Sequence, residues 1–125
     1  MKYLCIVYTE EAKLAALSDK EFEQLDADSL AYDKEMREAG HFLAAEALQS
    51  VQTATTLRVR QNKLSATDGP FAETKEQLCG FVLMQAEDLN EAIRVASKIP
   101  SARVGSVEVR PVRQLAEKER WDKRG

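Results

Sequence analysis

The chain has 125 residues, of which 44% are hydrophobic and 31% charged, and its formal net charge is −3. This length is typical of a single domain, and the composition excludes a disordered or fibrous protein. A dedicated nucleic-acid-binding protein carries a basic face, so the acidic balance argues against direct nucleic-acid binding. The N-terminal apolar run that ends at Val7 is too short for a signal peptide or a membrane span. We therefore expect a cytoplasmic protein that does not contact a membrane.

Two cysteines, Cys5 and Cys79, lie far apart in the sequence and inside apolar runs. We expect both to be buried, reduced thiols that act as small hydrophobic side chains. A structural zinc site needs four ligands, usually at paired spacing, whereas this chain has one histidine and no Cys-x-x-Cys pair. The sequence also contains no P-loop, dinucleotide fingerprint or nucleophile elbow. We therefore expect neither a metal site nor a bound cofactor.

The first 40 residues predict a strand followed by two helices. The run from Lys2 to Tyr8 is apolar on both alternating faces, which indicates a strand that is covered on both sides. The alanine-rich run 10–17 predicts a short helix. Ser18 and Glu21 form a capping box, which opens a long helix that ends at Gly40. Five side chains at helical spacing mark the buried stripe of that helix: Phe22, Leu25, Tyr32, Met36 and Ala39.

The rest of the chain predicts five strands and one more helix. Residues 61–63 indicate a hairpin turn, and the Asp-Gly-Pro run at 68–70 ends the strand that returns from it. Asp88 opens the helix with Glu91 at N3, and the helix ends before Pro100. The strands follow from alternation and turn signals and span residues 41–48, 53–60, 64–67, 77–85 and 105–112.

This order of elements is β-α-β-β-hairpin-β-α-β. It is the split β-α-β pattern of an α+β ferredoxin-like sandwich, with the hairpin as an inserted edge. We predict one domain over residues 1–113 and a charged tail over 114–125. Helices cover only one face of such a sheet, so the other face needs a cover. A second copy of the chain is the simplest cover, which predicts a homodimer with sheets packed face to face.

The run from Asp68 to Glu76, here called the signature loop, is the strongest functional candidate. Its Asp-Gly-Pro start is ordinary turn chemistry, but Phe71 is apolar within a polar loop and Glu73, Lys75 and Glu76 crowd opposite charges together. Loops that lead into a central strand often carry binding groups. Two interpretations stay open: a solvated ion-pair cluster that closes the hairpin, or a carboxylate beside Lys75 that acts as an acid/base pair or binds an ion.

Two further titratable residues are candidates. Glu46 interrupts an apolar strand, and a buried carboxylate there needs a partner, for which Arg58 or Lys75 across the sheet is available. Glu46 is then either structural or a base with a shifted pKa. His41 follows the helix stop, where its protonated form favours the negative end of the helix, although histidine is also the side chain that titrates near neutral pH.

Three segments resemble the DGPF, or YCII-related, domain family. The stretch DGPFAETKEQLCGF that starts at Asp68 is similar to the family signature nearly letter for letter. FLAAEAL at 42–48 and GSVEVRP at 105–111 are similar to two of its strands, so the resemblance covers roughly Met1 to Val112. It implies a ferredoxin-like fold that forms a dimeric α/β barrel, and little about activity. Such barrels tend to enclose a pocket between helix and sheet, and many need no cofactor.

The resemblance does not carry over the His–Asp pair attributed to the YciI-type branch of the family. That branch places its histidine within the first long helix and its aspartate near the helix end. By the branch's spacing from Gly40, the two positions fall on Ser29 and Glu38 in this chain. The single histidine, His41, lies outside the helix. A His–Asp mechanism is therefore not implied here.

Three functional hypotheses follow. The first is a small ligand-binding protein or cofactor-free enzyme for a small polar or acidic ligand, with Asp68 or Glu46 as the proton acceptor. Its ligand-binding residues would be Phe71, Glu73, Lys75, Arg58 and His41. The second is an interaction module in transcription regulation, because some relatives occur beside or fused to alternative sigma factors. The third gives the signature loop a purely structural role.

Overall fold

The computed structural model describes residues 1–115, so the predicted tail lies outside the described residues except for its first two positions. None of the helices in this part of the chain combines the length and apolarity needed to cross a membrane. In chain order the elements are β1 (Lys2–Thr9), α1 (Glu11–Ala15), α2 (Asp19–Glu38), β2 (Phe42–Ala47), a 3-10 turn (Val51–Thr53), β3 (Thr55–Arg60), β4 (Lys63–Asp68), β5 (Gln77–Gln85), α3 (Leu89–Ala96), a second 3-10 turn (Pro100–Arg103) and β6 (Gly105–Pro111).

The boundaries of α2 follow from the capping residues that the sequence predicts. The Ser18 hydroxyl accepts a hydrogen bond from the Glu21 N–H at 3.1 Å, and the Glu21 carboxylate accepts one from the Ser18 N–H at 2.9 Å. The hydrogen bond from the Ser18 N–H, followed by the interaction with the Ser18 hydroxyl, lowers the pKa of the Glu21 carboxyl group. At the other end, Gly40 adopts a φ of +84°, and the His41 N–H donates to the Met36 carbonyl at 2.9 Å. This is a glycine-ended Schellman stop, so both predicted helix ends are confirmed.

Four strands form one antiparallel sheet in the order β2-β5-β1-β6. The central pair is in register with Cys5 opposite Val82, and Cys5 also lies opposite Val109 on β6. The architecture is α+β, and the strand order is compatible with the predicted ferredoxin-like fold. The hairpin differs from the prediction, because β3 and β4 form a separate two-stranded sheet rather than an edge of the main one. It is attached at its base, where the Gly69 N–H donates to the Ala54 carbonyl at 2.8 Å.

The core lies between one face of the sheet and the helices α2 and α3. Alternate side chains of β1 and β5 point into it, and α2 contributes Met36, which is 2% exposed. Each fully buried side chain of this size stabilises the fold by about 1.5–3 kcal/mol. The rest of the predicted α2 stripe is less buried than expected, and Phe22 is 43% exposed. The helix therefore packs tightly on the sheet through its second half only.

The opposite face of the sheet carries apolar side chains that no described helix covers. The register of β1 with β5 places Leu4 beside Leu83, Ile6 beside Phe81 and Tyr8 beside Leu78. These six residues are here called the open sheet face. Both faces of β1 are therefore apolar, as predicted, but α2 and α3 pack on only one of them.

Candidate functional site

The signature loop joins β4 to β5 and is held at both ends. At its start, Gly69 has a φ of +107°, and its carbonyl accepts a hydrogen bond from the Thr56 hydroxyl at 2.9 Å. At its end, the Glu76 carboxylate accepts a hydrogen bond from the Ser106 hydroxyl at 2.7 Å. The hairpin and β6 therefore fix the loop against the sheet, which agrees with its predicted position before a central strand.

The loop borders a cavity of about 860 Å³, here called the loop pocket. Its walls are mostly apolar and include Tyr8 and Leu78 from the open sheet face, together with Phe71 from the loop. Phe71 is 80% exposed, and the Arg58 guanidinium lies 5.6 Å above the centre of its ring. Of the predicted ligand-binding residues, Phe71 therefore lines the pocket, and Arg58 contacts its ring without lining the pocket.

The charged residues of the signature loop do not form a cluster. Asp68, Glu73 and Lys75 are exposed, and none of them forms an ion pair within the described residues. Glu46 lies on the edge strand β2 opposite Phe81 and is exposed. The expectation that Glu46 is buried is therefore wrong, and neither Arg58 nor Lys75 pairs with it, because the hairpin does not join the main sheet.

His41 lies at the far end of β5 from the signature loop. The nine residues of β5 separate the two by about 30 Å. The His41 Nδ1 is 2.9 Å from the Gln85 carbonyl and 3.9 Å from the Glu91 carboxylate. These contacts tie the junction of α2 and β2 to the start of α3. The predicted site residues therefore occupy separate parts of the molecule.

A second cavity lies on the other side of the sheet, between the first half of α2 and strands β2 and β5. It has a volume of about 520 Å³ and is here called the helix-face pocket. It exists because the first half of α2 does not pack closely on the sheet. Its lining includes apolar side chains from helix and sheet and five side chains with polar groups on its helical and β1 walls: Thr9, Asp26, Ser29, Tyr32 and Asp33.

Thr9 is the most unusual residue of the helix-face pocket. It is the last residue of β1, it is 1% exposed, and its hydroxyl oxygen has no hydrogen-bond partner within residues 1–115. A buried polar group without a partner costs about 1–3 kcal/mol. The fold therefore retains an unfavourable hydroxyl at the wall of a cavity.

Among the other polar groups of the pocket, those of Ser29 and Tyr32 already form hydrogen bonds within the described chain, whereas that of Asp33 does not. The Ser29 hydroxyl donates to the Leu25 carbonyl at 2.9 Å, and the Tyr32 hydroxyl donates to the Val95 carbonyl at 2.6 Å. Asp33 forms no hydrogen bond or ion pair in the described chain, and burial raises the pKa of its carboxyl group despite the opposing charge of Arg37. Thr9 and Asp33 therefore have unused capacity toward a ligand.

The sequence interpretation missed Thr9 and Asp33. A signal for Asp33 exists, because Asp26, Ser29 and Asp33 recur at spacings of three and four within the predicted apolar stripe of α2. Polar residues on the buried side of a helix indicate either a paired network or a cavity. Nothing in the sequence identifies Thr9, since a threonine at a strand end is ordinary.

The helix-face pocket is equipped for hydrogen bonding. Thr9 offers a hydroxyl group that donates and accepts, and Asp33 offers a carboxyl group that changes protonation state. Across residues 1–115, no group of three or more His, Cys, Asp or Glu side chains is placed to hold a metal ion. The chemistry available from these side chains is recognition of a ligand and transfer of a proton to or from it.

Comparison with known proteins agrees with this architecture. The model of the YCII-related domain matches residues 1–116. An uncharacterised protein of Rhizobium meliloti (strain 1021) is 38% identical to this chain over 114 residues, which are 90% of this chain and 92% of that protein. The match spans both pockets and the signature loop. The chain belongs to the YCII-related domain family.

Proposed function

We propose that this protein binds a small organic molecule in the helix-face pocket. The observation that carries the proposal is the buried Thr9 hydroxyl, which lacks a partner in the described chain and belongs to a pocket-lining residue that is 1% exposed. Buried polar groups in folded proteins nearly always have a partner. A ligand with one polar atom that reaches Thr9 would supply the missing hydrogen bond.

The shape and lining of the pocket support the same proposal. A volume of about 520 Å³ lies within the range of small-molecule sites, roughly 300–1,000 Å³. Such sites combine apolar walls with a few polar groups, as Leu25, Val82 and Ile99 do here with Thr9 and Asp33. Ser29, at the position where the YciI-type branch is expected to carry its histidine, lines the pocket as well.

Cys79 provides a test of this proposal, because it lines the helix-face pocket but not the loop pocket. We expect some members of a fragment library to slow alkylation of Cys79 by iodoacetamide and to raise the melting temperature. Thr9→Val should weaken the binding of those fragments that carry a hydrogen-bonding group. Complete lack of protection of Cys79 by every fragment would contradict the proposal.

A second candidate function rests on the contact between Arg58 and Phe71. A guanidinium stacked on an exposed ring beside an apolar cavity suits an aromatic carboxylate, the acidic type of ligand that the sequence predicts. We propose the loop pocket, which Phe71 lines and whose Phe71 ring Arg58 contacts, as a site of that kind. Arg58→Ala should abolish binding of benzoate-like ligands there, and Lys63→Ala, on the same hairpin, is the control.

We also propose that two copies of the chain associate through the open sheet face, as in the predicted dimeric barrel. Within this face Leu78 is exposed, Ile6 is buried and the other four side chains are partly exposed. Contiguous apolar surface of this kind marks an interface. The edges of the face are polar, because Glu46 lies on β2 at one edge, and Glu108 and Arg110 pair with each other on β6 at the other. An apolar centre with a polar rim is typical of protein–protein interfaces.

The test of this association is the mass in solution of three proteins. The wild type should behave as a dimer of the 14.0 kDa chain. Leu83→Glu, on the open sheet face, should be monomeric. Ile93→Glu places the same charge on the outer surface of α3 and should remain a dimer. A monomeric wild type, or a dimeric Leu83→Glu variant, would show that the open sheet face is not the interface.

A further inference from the structure

We infer that the helix-face pocket selects an apolar molecule carrying an amine or a neutral hydrogen-bonding group, and that it rejects carboxylic acids. This inference rests on the proposed function of that pocket and names its ligand class. The sequence predicts a small polar or acidic ligand, and this inference excludes the acidic alternative for this pocket. The two pockets would then recognise ligands of opposite charge.

The charged side chains that line the helix-face pocket are acidic. None of the described residues that line it is a lysine, arginine or histidine. Asp26 and Asp33 lie seven positions apart on the same side of α2 and both line it. The side chain of Glu46, the remaining acidic residue of the lining, alternates toward the other face of the sheet. A carboxylate ligand would meet like charge with no cation to pair with.

Two arginines near the pocket, Arg103 and Arg37, contact groups outside it. The Arg103 guanidinium donates to the Asp28 carboxylate at 2.9 Å. The Arg37 guanidinium lies 4.4 Å above the Phe42 ring, and neither arginine lines the pocket. Arg37 lowers the pKa of Asp33 less than burial raises it. The negative charge at the α2 wall is therefore only partly balanced within the described chain.

Asp33 offers a hydrogen-bond acceptor to a ligand that carries a donor group. This carboxyl group is half-buried and has no hydrogen-bond partner among the described residues. An ammonium group would form a charge-assisted hydrogen bond with its ionised form, which is stronger than a neutral one. A neutral amide would also donate to the carboxylate, and Thr9 would serve either class because a hydroxyl donates and accepts.

The test compares three probes of nearly equal shape: 2-phenylethylamine, phenylacetamide and phenylacetate. Affinity is measured by titration calorimetry on the full chain, and Cys79 alkylation reports whether a probe occupies the helix-face pocket. We expect the amine to bind at least about tenfold more tightly than the carboxylate. Asp33→Asn should weaken the amine about tenfold and leave the amide nearly unchanged.

The control variant is Asp19→Asn, which removes one charge from the exposed start of α2 outside the pocket. It should change no affinity by more than about twofold. If phenylacetate protects Cys79 as well as the amine does, or if Asp33→Asn leaves amine binding unchanged, the inferred ligand class is wrong while the pocket stands as a site. If none of the three probes protects Cys79 at millimolar concentration, the inferred ligand class is wrong, and the fragment screen alone decides whether the proposed function fails as well.

Discussion

Replacing Thr9 by valine should stabilise the free protein, although it removes a polar group from a buried strand. Valine has nearly the same shape as threonine, so the substitution exchanges one hydroxyl for one methyl group. The Thr9 hydroxyl is 1% exposed and has no partner in the described chain. Removing an unsatisfied buried group returns part of its desolvation cost, about 1–3 kcal/mol. We expect a gain of about 1 kcal/mol, or a rise in melting temperature of about 4 °C for a chain of this size.

Thr56→Val is the matched control. Thr56 also lies on a strand, but its hydroxyl donates to the Gly69 carbonyl at 2.9 Å. Losing a satisfied hydrogen bond costs about 0.5–1.5 kcal/mol, so this variant should melt at a lower temperature. Both variants are measured by urea denaturation and by calorimetry, with a coincident transition as the criterion of two-state unfolding. If Thr9→Val destabilises the protein as much as Thr56→Val does, the Thr9 hydroxyl has a partner in solution and the reasoning is refuted.

Four other variants test the local physics of the fold. Gly105→Ala should destabilise the protein by about 2–3 kcal/mol, because its Cβ atom would lie 2.1 Å from the Tyr8 carbonyl oxygen. Gly69→Ala, which meets no atom within 4 Å but has a positive φ, should cost only about 1–2 kcal/mol in the same denaturation assay. Burial raises the pKa of Asp33, so the native state binds a proton more tightly than the unfolded state, and stability falls as the pH rises through that pKa. The melting temperature of Asp33→Asn relative to wild type should therefore increase between about pH 3 and pH 7, and a constant difference would contradict the pKa shift. Cys5 is fully buried with its thiol pKa raised to about 11, so a thiol reagent should modify Cys79 first and reach Cys5 only on unfolding. If two thiols react rapidly in the folded wild type and one thiol still reacts rapidly in the folded Cys79→Ala variant, Cys5 is accessible and the prediction is wrong.

The local signals in the sequence predicted the elements well because capping and turn chemistry act over a few residues. Ser18, Glu21 and Gly40 set the ends of α2, and the strand 77–85 has the predicted bounds. The run 53–60 is shorter than predicted, since Val51–Thr53 forms a 3-10 turn in which the Thr53 N–H donates to the Ser50 carbonyl. That bond is local, but the sequence carries no strong signal for it.

The candidate site was harder to predict because it depends on how elements pack. Glu46 interrupts an apolar run, and the run alone does not show that β2 is an edge strand with an exposed outer side. The placement of the hairpin beside the main sheet, which separates Arg58 from Glu46, is likewise a tertiary feature. The helix-face pocket exists because the first half of α2 does not pack closely on the sheet. The spacing of apolar residues along the helix does not predict this gap.

The signature loop has a defined structural role, whereas a chemical role for its charged residues stays a prediction. Its ends are fixed by the Thr56–Gly69 and Ser106–Glu76 hydrogen bonds, and it presents Phe71 to Arg58. Asp68, Glu73 and Lys75 stay predicted site residues whose partners would have to come from a ligand or another chain. The association with a sigma factor also stays a prediction.

The most direct measurement of the central proposal is an NMR titration of the labelled protein with 2-phenylethylamine. Binding in the helix-face pocket predicts that the shifted signals belong to Thr9, Asp33, Ala45 and Ile99. Signals of Thr56, Phe71 and Leu78, which line the loop pocket, should stay in place. Shifts confined to the loop pocket, or no shifts at saturating probe, would contradict the proposal that the helix-face pocket is the ligand site.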